Sequence, residues 1–356
     1  MTDVIRVAPD NPDPAALARA AECLRRGGLV AFPTETVYGL GVNAFDRQAV
    51  LRLFAAKQRP ANDPLIVHVA EIDSIAPLAS HVPTSVERLG RRFWPGPLTL
   101  ILPKSAQVPD EVTAGLPSVA VRVPQHPVAL ALIEAASVPV AAPSANLFSR
   151  PSPTQASHVI DDLDGRIDLV VDGGATTIGV ESTVLDLTTD PPRILRPGAV
   201  TVDMLREVLE HVEVARSSTG IGSSNAAPMP SPGMLSKHYS PRAALTLFEG
   251  DTGAALTSLV AVARDELSKG RVVGVIAGEE DQGGLASLAS ESKLLLRVIG
   301  SHGAPAVVAS RLYATLRELD AARVDVILVR AFGDDGLGAA VQDRLRRAAA
   351  GRVVRV

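Results

Sequence analysis

The chain has 356 residues, 46% of them hydrophobic and 21% charged, with a net charge of -4, 3% aromatics and a single cysteine, Cys23. That length favours two domains with aliphatic, alanine-rich cores, and one cysteine excludes a disulfide framework or a multi-cysteine metal site. No apolar run is long enough to span a bilayer, no signal-peptide pattern opens the chain, and the charge gives no global pull toward nucleic acid, so a cytoplasmic location and a local basic cluster for any anionic ligand are expected.

Asp13 and Pro14 form an N-cap and first-turn pair for a helix whose inner face carries Leu17, Ala20, Ala21 and Leu24. Gly27 and Gly28 end it, and Leu29 to Phe32 form a buried strand. The following PTETVYGLG is dense in hydroxyls and glycine. A second helix runs from about Asp46, with Val50, Leu53 and Phe54 inward, and stops at Pro60. Leu65 to Val69 form a strand, and Thr84 with Glu87 has the pattern of a capping box opening the next helix. Strands over Leu98 to Leu102 and Ser118 to Val123 follow, then the helical PVALALIEAA and a strand leading into Ser144-Ala145-Asn146. Further short strands and a helix over Val202 to Leu209 complete an α/β region. Pro33, Pro139 and Pro143 argue for a mixed, twisted sheet over a fully parallel one.

Between about Glu213 and Pro241 the chain turns rich in Ser, Gly and Pro, the composition of a linker. Beyond it, ALTLFEG, RVVGVIAG and VDVILVRAF alternate with helical patterns, as a small second α/β domain would.

Two loose nucleotide fingerprints are weak: GLGVNA at Gly39, which PTETVY separates from its strand and which reads instead as a glycine turn, and GDDGLGAAV near Asp335; no Walker-type phosphate loop is present. Lys57 and Arg59 end a helix, where the macrodipole favours cations, but Pro60 fixes both charges in place. In SVAVRV, Val119, Val121 and Val123 share one face, so Arg122 points the other way, toward water or an anion. His68 shares a face with Ile66 in the same manner. Ser144 and Asn146 offer neutral donors suited to phosphate or carboxylate oxygens, and Glu181 is an acid/base or metal-ligand candidate that could equally pair with an arginine.

In this order, PTETVYGLG, KQRP with PLIVHV, FWPGPLTLIL, VAVRVP, APSAN, RPSPT, GVESTV and ILRPGA resemble the YrdC-like family, with Lys57/Arg59 and Ser144/Asn146 matching its K-x-R and S-x-N elements. SPGMLSKHYSP and the second domain are similar to the two-domain form, the threonylcarbamoyl-AMP synthases. The resemblance implies a YrdC-like twisted mixed open sheet with a concave basic cavity over residues 1–210, a linker and active-site lid over 211–242, and a smaller Rossmann-like α/β domain over 243–356. It implies that L-threonine, bicarbonate or CO2, and ATP with Mg2+ give threonylcarbamoyl-adenylate and pyrophosphate, for the threonylcarbamoyl modification of tRNA adenosine by downstream transfer machinery.

Carried onto matching positions, threonine would be held by Thr36, His68, Arg122, the backbone near Ala142, and Ser182. ATP would be held by Arg59, Asp63, Ser118, Ser144, Ser152 and Arg196, with Tyr239 closing over it; Lys57 and Asn146 complete a catalytic group with Arg59 and Ser144. An acidic side chain at Asp63 is unhelpful beside phosphate, an objection that a backbone contact would remove. The hydrogenase-maturation carbamoyl-transfer domains resemble the same fold but imply zinc-finger cysteines, which this chain lacks. An RNA-binding module is opposed by the net charge.

Overall fold

The computed structural model describes residues 1–215, 228–233 and 238–356. They divide into two compact units, 1–148 with 152–234 and 149–151 with 235–356.

In the first unit, strands β1 (Asp3–Arg6), β2 (Val30–Pro33), β3 (Tyr38–Asn43), β4 (Ile66–His68), β5 (Leu98–Pro103), β6 (Ser118–Arg122), β7 (Val140–Ala141), β8 (Leu169–Asp172), β9 (Thr183–Asp186), β10 (Arg193–Arg196) and β11 (Glu213–Val214) form one sheet. Its order is β1-β8-β2-β3-β7-β4-β6-β5-β9-β10-β11. Parallel and antiparallel pairings are both present, as the proline positions suggested: β4 runs parallel to β6, while β2 is antiparallel to β3 and β5 to β6.

The alternation expected for the central strands holds and generates two different faces. Val67, Leu98, Leu100, Leu102, Val119, Val121 and Leu185 enter the main core, beneath helices Arg47–Lys57 and Thr84–Phe93. Ile66, Ile101, Ala120 and Val184 form a separate apolar patch, and β4 pairs with β6 so that Ile66 lies opposite Ala120 and His68 opposite Arg122. At the other end of the sheet, helices Pro14–Arg25 and Pro127–Ala136 cover Val30, Phe32, Leu169 and Val171.

Local sequence explains most boundaries. The Asp13 carboxylate accepts the Ala15 N–H at the first helix, and Asp46 caps the second by accepting from Gln48 and Ala49. That second helix stops where Gln58 turns left-handed at φ 55°. Two expectations are corrected. Pro83, not Thr84, is the N-cap of the third helix; Thr84 is already helical, and Glu87 pairs with Arg91 one turn on. GLGVNA is neither a turn nor a nucleotide loop but lies in β3, apart from Ala44. A Cβ on Gly41 would come within 2.7 Å of both Phe32 and Val140, so glycine is demanded by packing.

The second unit holds a five-stranded, fully parallel sheet, β12 (Ala244–Glu249), β13 (Val273–Ala277), β14 (Leu294–Val298), β15 (Val326–Arg330) and β16 (Val353–Arg355), in the order β14-β13-β15-β12-β16. Helices Thr252–Ser268, Pro305–Ala321 and Leu337–Ala349 are its long crossovers. GDDGLG runs from the loop between β15 and the last of these helices into its first turn, with Gly336 as N-cap and Leu337 and Gly338 already helical.

Of the linker expected over 211–242, residues 216–227 and 234–237 lie outside the described residues.

Candidate active site

The site is built on the face of the central strands that alternation turns away from the main core. Arg122 ends β6 and is buried; its Nε donates to the Gly96 carbonyl at 3.2 Å, Nη1 to the Thr36 hydroxyl at 3.1 Å and Nη2 to Glu35 Oε1 at 2.5 Å. The Thr36 hydroxyl also lies 2.7 Å from that of Thr34. Opposite Arg122 in register, His68 is 4% exposed, with its Nδ1 lacking a hydrogen-bond partner among the described residues. Burial, helped by the Arg122 charge, pushes its pKa down to about 3. A neutral imidazole is therefore presented beside a guanidinium.

A second group of cations lies at the end of the helix Arg47–Lys57. Lys57 is buried rather than solvated, and its ammonium donates to the carbonyls of Ser144 and Asn146, each at 2.5 Å. These bonds tie the APSAN loop to the helix end. Phe148 N–H returns a bond to the Lys57 carbonyl at 2.9 Å. Arg59 donates to the carbonyls of Asp63 and Pro64 and pairs with the Asp63 carboxylate at 2.9 Å. Burial raises the Asp63 carboxyl above its usual range, although Arg59, Lys57, the Gly233 N–H and Arg196 all pull the other way.

Arg196 reaches the same neighbourhood from β10. Its Nε and Nη2 hold the carbonyl and hydroxyl of Ser182, and Nη1 donates to the Pro232 carbonyl at 3.2 Å. The Ser182 hydroxyl is 2.8 Å from that of Thr99. Residues 228–233 are tied to this group, because Met229 N–H also bonds the Asn62 carbonyl. Pro230 and Pro232 line a small recess with Pro64, Ile101, Ser118 and Ala120.

The remaining sequence candidates are placed as follows. Ser152 is buried and donates to Glu181 Oε1 at 2.5 Å. Ala142 follows β7 and gives its N–H to the Ile66 carbonyl. Ser144 is half-buried and bridges to Gly39, while Asn146 Nδ2 donates to the Leu147 carbonyl. Tyr239 belongs to the second unit, where its ring stacks on Tyr313 at 5.6 Å and the Arg344 guanidinium lies 5.3 Å from its centroid.

Sequence reasoning missed two features of this neighbourhood, the Glu35 and Asp63 carboxylates as partners of Arg122 and Arg59. Two buried arginines in aliphatic surroundings required counter-charges somewhere, and PTET supplied an acid whose partner could not be read from spacing. Lys57, Arg59, Arg122 and Arg196 are therefore accompanied in this unit by the carboxylates of Glu35, Asp63 and Glu181. Such a site can neutralise an anion by direction rather than by bulk positive charge.

The chain matches a family model described as Telomere recombination, which covers the Sua5, YciO and YrdC proteins, over residues 22–198. A second model, for the threonylcarbamoyl-AMP synthase C-terminal domain, matches residues 200–350. The chain is 43% identical to the threonylcarbamoyl-AMP synthase of Pyrococcus abyssi, over 95% of each chain. Identity to the synthase of Bacillus subtilis is 45%, over 95% of this chain and 94% of that one. Among solved structures, P. abyssi Sua5 complexed with L-threonine superposes with a TM-score of 0.91 at 42% identity, covering 100% of both chains. The chain belongs to the two-domain threonylcarbamoyl-AMP synthase family.

Proposed function

We propose that this protein converts L-threonine, bicarbonate or CO2, and ATP to threonylcarbamoyl-adenylate and pyrophosphate, supplying the threonylcarbamoyl group for tRNA adenosine. The observation that carries this reading is the pairing of Arg122 with a neutral His68 on one sheet face, in the same unit as Lys57, Arg59 and Arg196. One group suits an amino-acid carboxylate and the other a polyphosphate.

In this reading Thr36, His68, Arg122, the backbone at Ala142, and Ser182 hold threonine. Its deprotonated amine attacks CO2 to give a carbamate. A carbamate oxygen then bonds the α-phosphorus of ATP as the bond to the β-phosphate oxygen breaks, and pyrophosphate leaves. No covalent nucleophile is required; positioning and charge neutralisation supply the catalysis. Arg59 and Arg196, with Ser118, Ser144, Ser152 and the backbone at Asp63, hold ATP, while Lys57 and Asn146 shape the loop that carries Ser144.

No group of three His, Cys, Asp or Glu side chains suited to a metal converges among the described residues. Mg2+ suits this arrangement as an ion carried by the ATP phosphates, which needs one or two carboxylates at most; Glu181, beside Ser152, is the candidate. Its chemistry would be to offset phosphate charge.

The linker over 211–242, including Tyr239, is proposed to gate the site, supported by the bonds of Met229 and Pro232 to Asn62 and Arg196. No helix among the described residues is long and apolar enough to cross a membrane, and a cytoplasmic location accords with this reading. The decisive measurement is pyrophosphate release by the full chain with Mg2+. It should require threonine, bicarbonate and ATP together; release independent of threonine would overturn the assignment.

A further inference from the structure

Glu35 is 4% exposed and lies between two segments of the chain. Its Oε1 accepts from Arg122 Nη2 at 2.5 Å and its Oε2 from the Gln125 N–H at 3.1 Å. Its own carbonyl accepts the Ile178 N–H at 2.8 Å and the Thr177 hydroxyl at 3.3 Å. The carboxylate is therefore fixed from both ends before it meets the guanidinium.

Arg122 has five N–H donors. Gly96, Thr36 and Glu35 take three of them, one each from Nε, Nη1 and Nη2. Among the described residues one N–H remains on each terminal nitrogen, enough in number for the two oxygens of a single carboxylate. Glu35 also cancels the arginine's charge in a buried setting, where an uncompensated guanidinium would be costly. A zwitterionic amino acid, neutral overall, thus meets a neutral pair that still has donors to offer. A phosphate, which seeks net positive charge, gains less there than at Arg59, where Lys57 and Arg196 add their charges and Asp63 is the one carboxylate all three act on.

We infer that Glu35 is a positioning and specificity-determining residue for the amino-acid substrate, acting through Arg122 by fixing its orientation and cancelling its charge. The inference rests on the assignment of Arg122 to the threonine carboxylate.

The test compares the full-length wild type with Glu35→Gln and Glu35→Asp, measuring pyrophosphate release with threonine and ATP varied separately. In Glu35→Gln the threonine KM should rise about tenfold or more, the scale of a charge-assisted bond lost in a buried site, while the ATP KM stays near the wild-type value. Glu35→Asp keeps the charge and should recover part of the loss. Threonine-induced stabilisation against heating, measured without ATP, should weaken in the same order. An unchanged threonine KM, or threonine and ATP KM values rising together, would overturn the inference. Should Glu35→Gln fail to fold, Glu35→Asp decides it on the same split. A wild type that binds threonine without turning it over would instead defeat the functional assignment and leave the binding comparison to judge Glu35.

Discussion

Arg59 and Asp63 form a buried ion pair at 2.9 Å within a single turn of chain, with the arginine also bonded to the Asp63 and Pro64 carbonyls. The pair places a carboxylate against the cation proposed above to hold ATP. Burial raises the Asp63 carboxyl above its usual range, so ionising it carries a cost in the folded protein. Replacement by asparagine keeps the shape and both carbonyl bonds while removing the competing charge. Asp63→Asn should lower the ATP KM on the order of tenfold, or about 1.4 kcal/mol, with threonine KM unchanged. An ATP KM that rises would show that the carboxylate serves the nucleotide rather than competing with it.

Lys57 makes a different kind of prediction, because its ammonium is spent on the carbonyls of Ser144 and Asn146. Lys57→Met leaves two buried acceptors without that donor, a loss of about 2–4 kcal/mol in total. Denaturant unfolding of the first unit should register it. Wild-type stability in this variant would mean that the lysine acts only through its charge.

These cases mark where sequence reading reaches. Period-two alternation is a property of a strand itself, so the face shared by Ile66 and His68, and that opposing Val121 to Arg122, are legible in the order of residues alone. Counter-ions are not local. Glu35 and Arg122 are 87 residues apart, and nothing in PTETVYGLG distinguishes an acid aimed at a distant arginine from one facing water. Strand β3 is hidden for a related reason: its glycines have poor strand propensity, and the need for one at Gly41 comes from packing against Phe32 and Val140. The Thr84 pattern fails because Pro83, already extended at ψ 150°, takes the cap position.

His68 gives a pH prediction with a definite sign. Its folded pKa of about 3 lies below the ordinary 6.5, so between those values the unfolded chain binds the extra proton. His68 therefore costs nothing above about pH 6.5, and its presence erodes stability as pH falls toward 3, at up to about 1.4 kcal/mol per unit. His68→Gln should flatten the pH dependence of first-unit unfolding across that window. Identical slopes in wild type and variant would refute it.

In the second unit, Asp281 holds Arg330 at 2.8 Å and His302 at 3.0 Å, and accepts the Gly278 N–H. Burial acts to raise its pKa, yet the hydrogen bonds from His302, Arg330 and Gly278 together hold it at about 2. The sign is opposite to a buried, unpaired acid: the stabilisation is fully present above the ordinary 3.8 and is lost as pH falls through 2. Asp281→Ala strands Arg330, only 8% exposed, at the end of β15. Removing one partner of such a pair costs about 3–5 kcal/mol, so calorimetry should show the second unit melting earlier. A shift confined to the first unit, or none, would mean that the Arg330 charge finds compensation without Asp281.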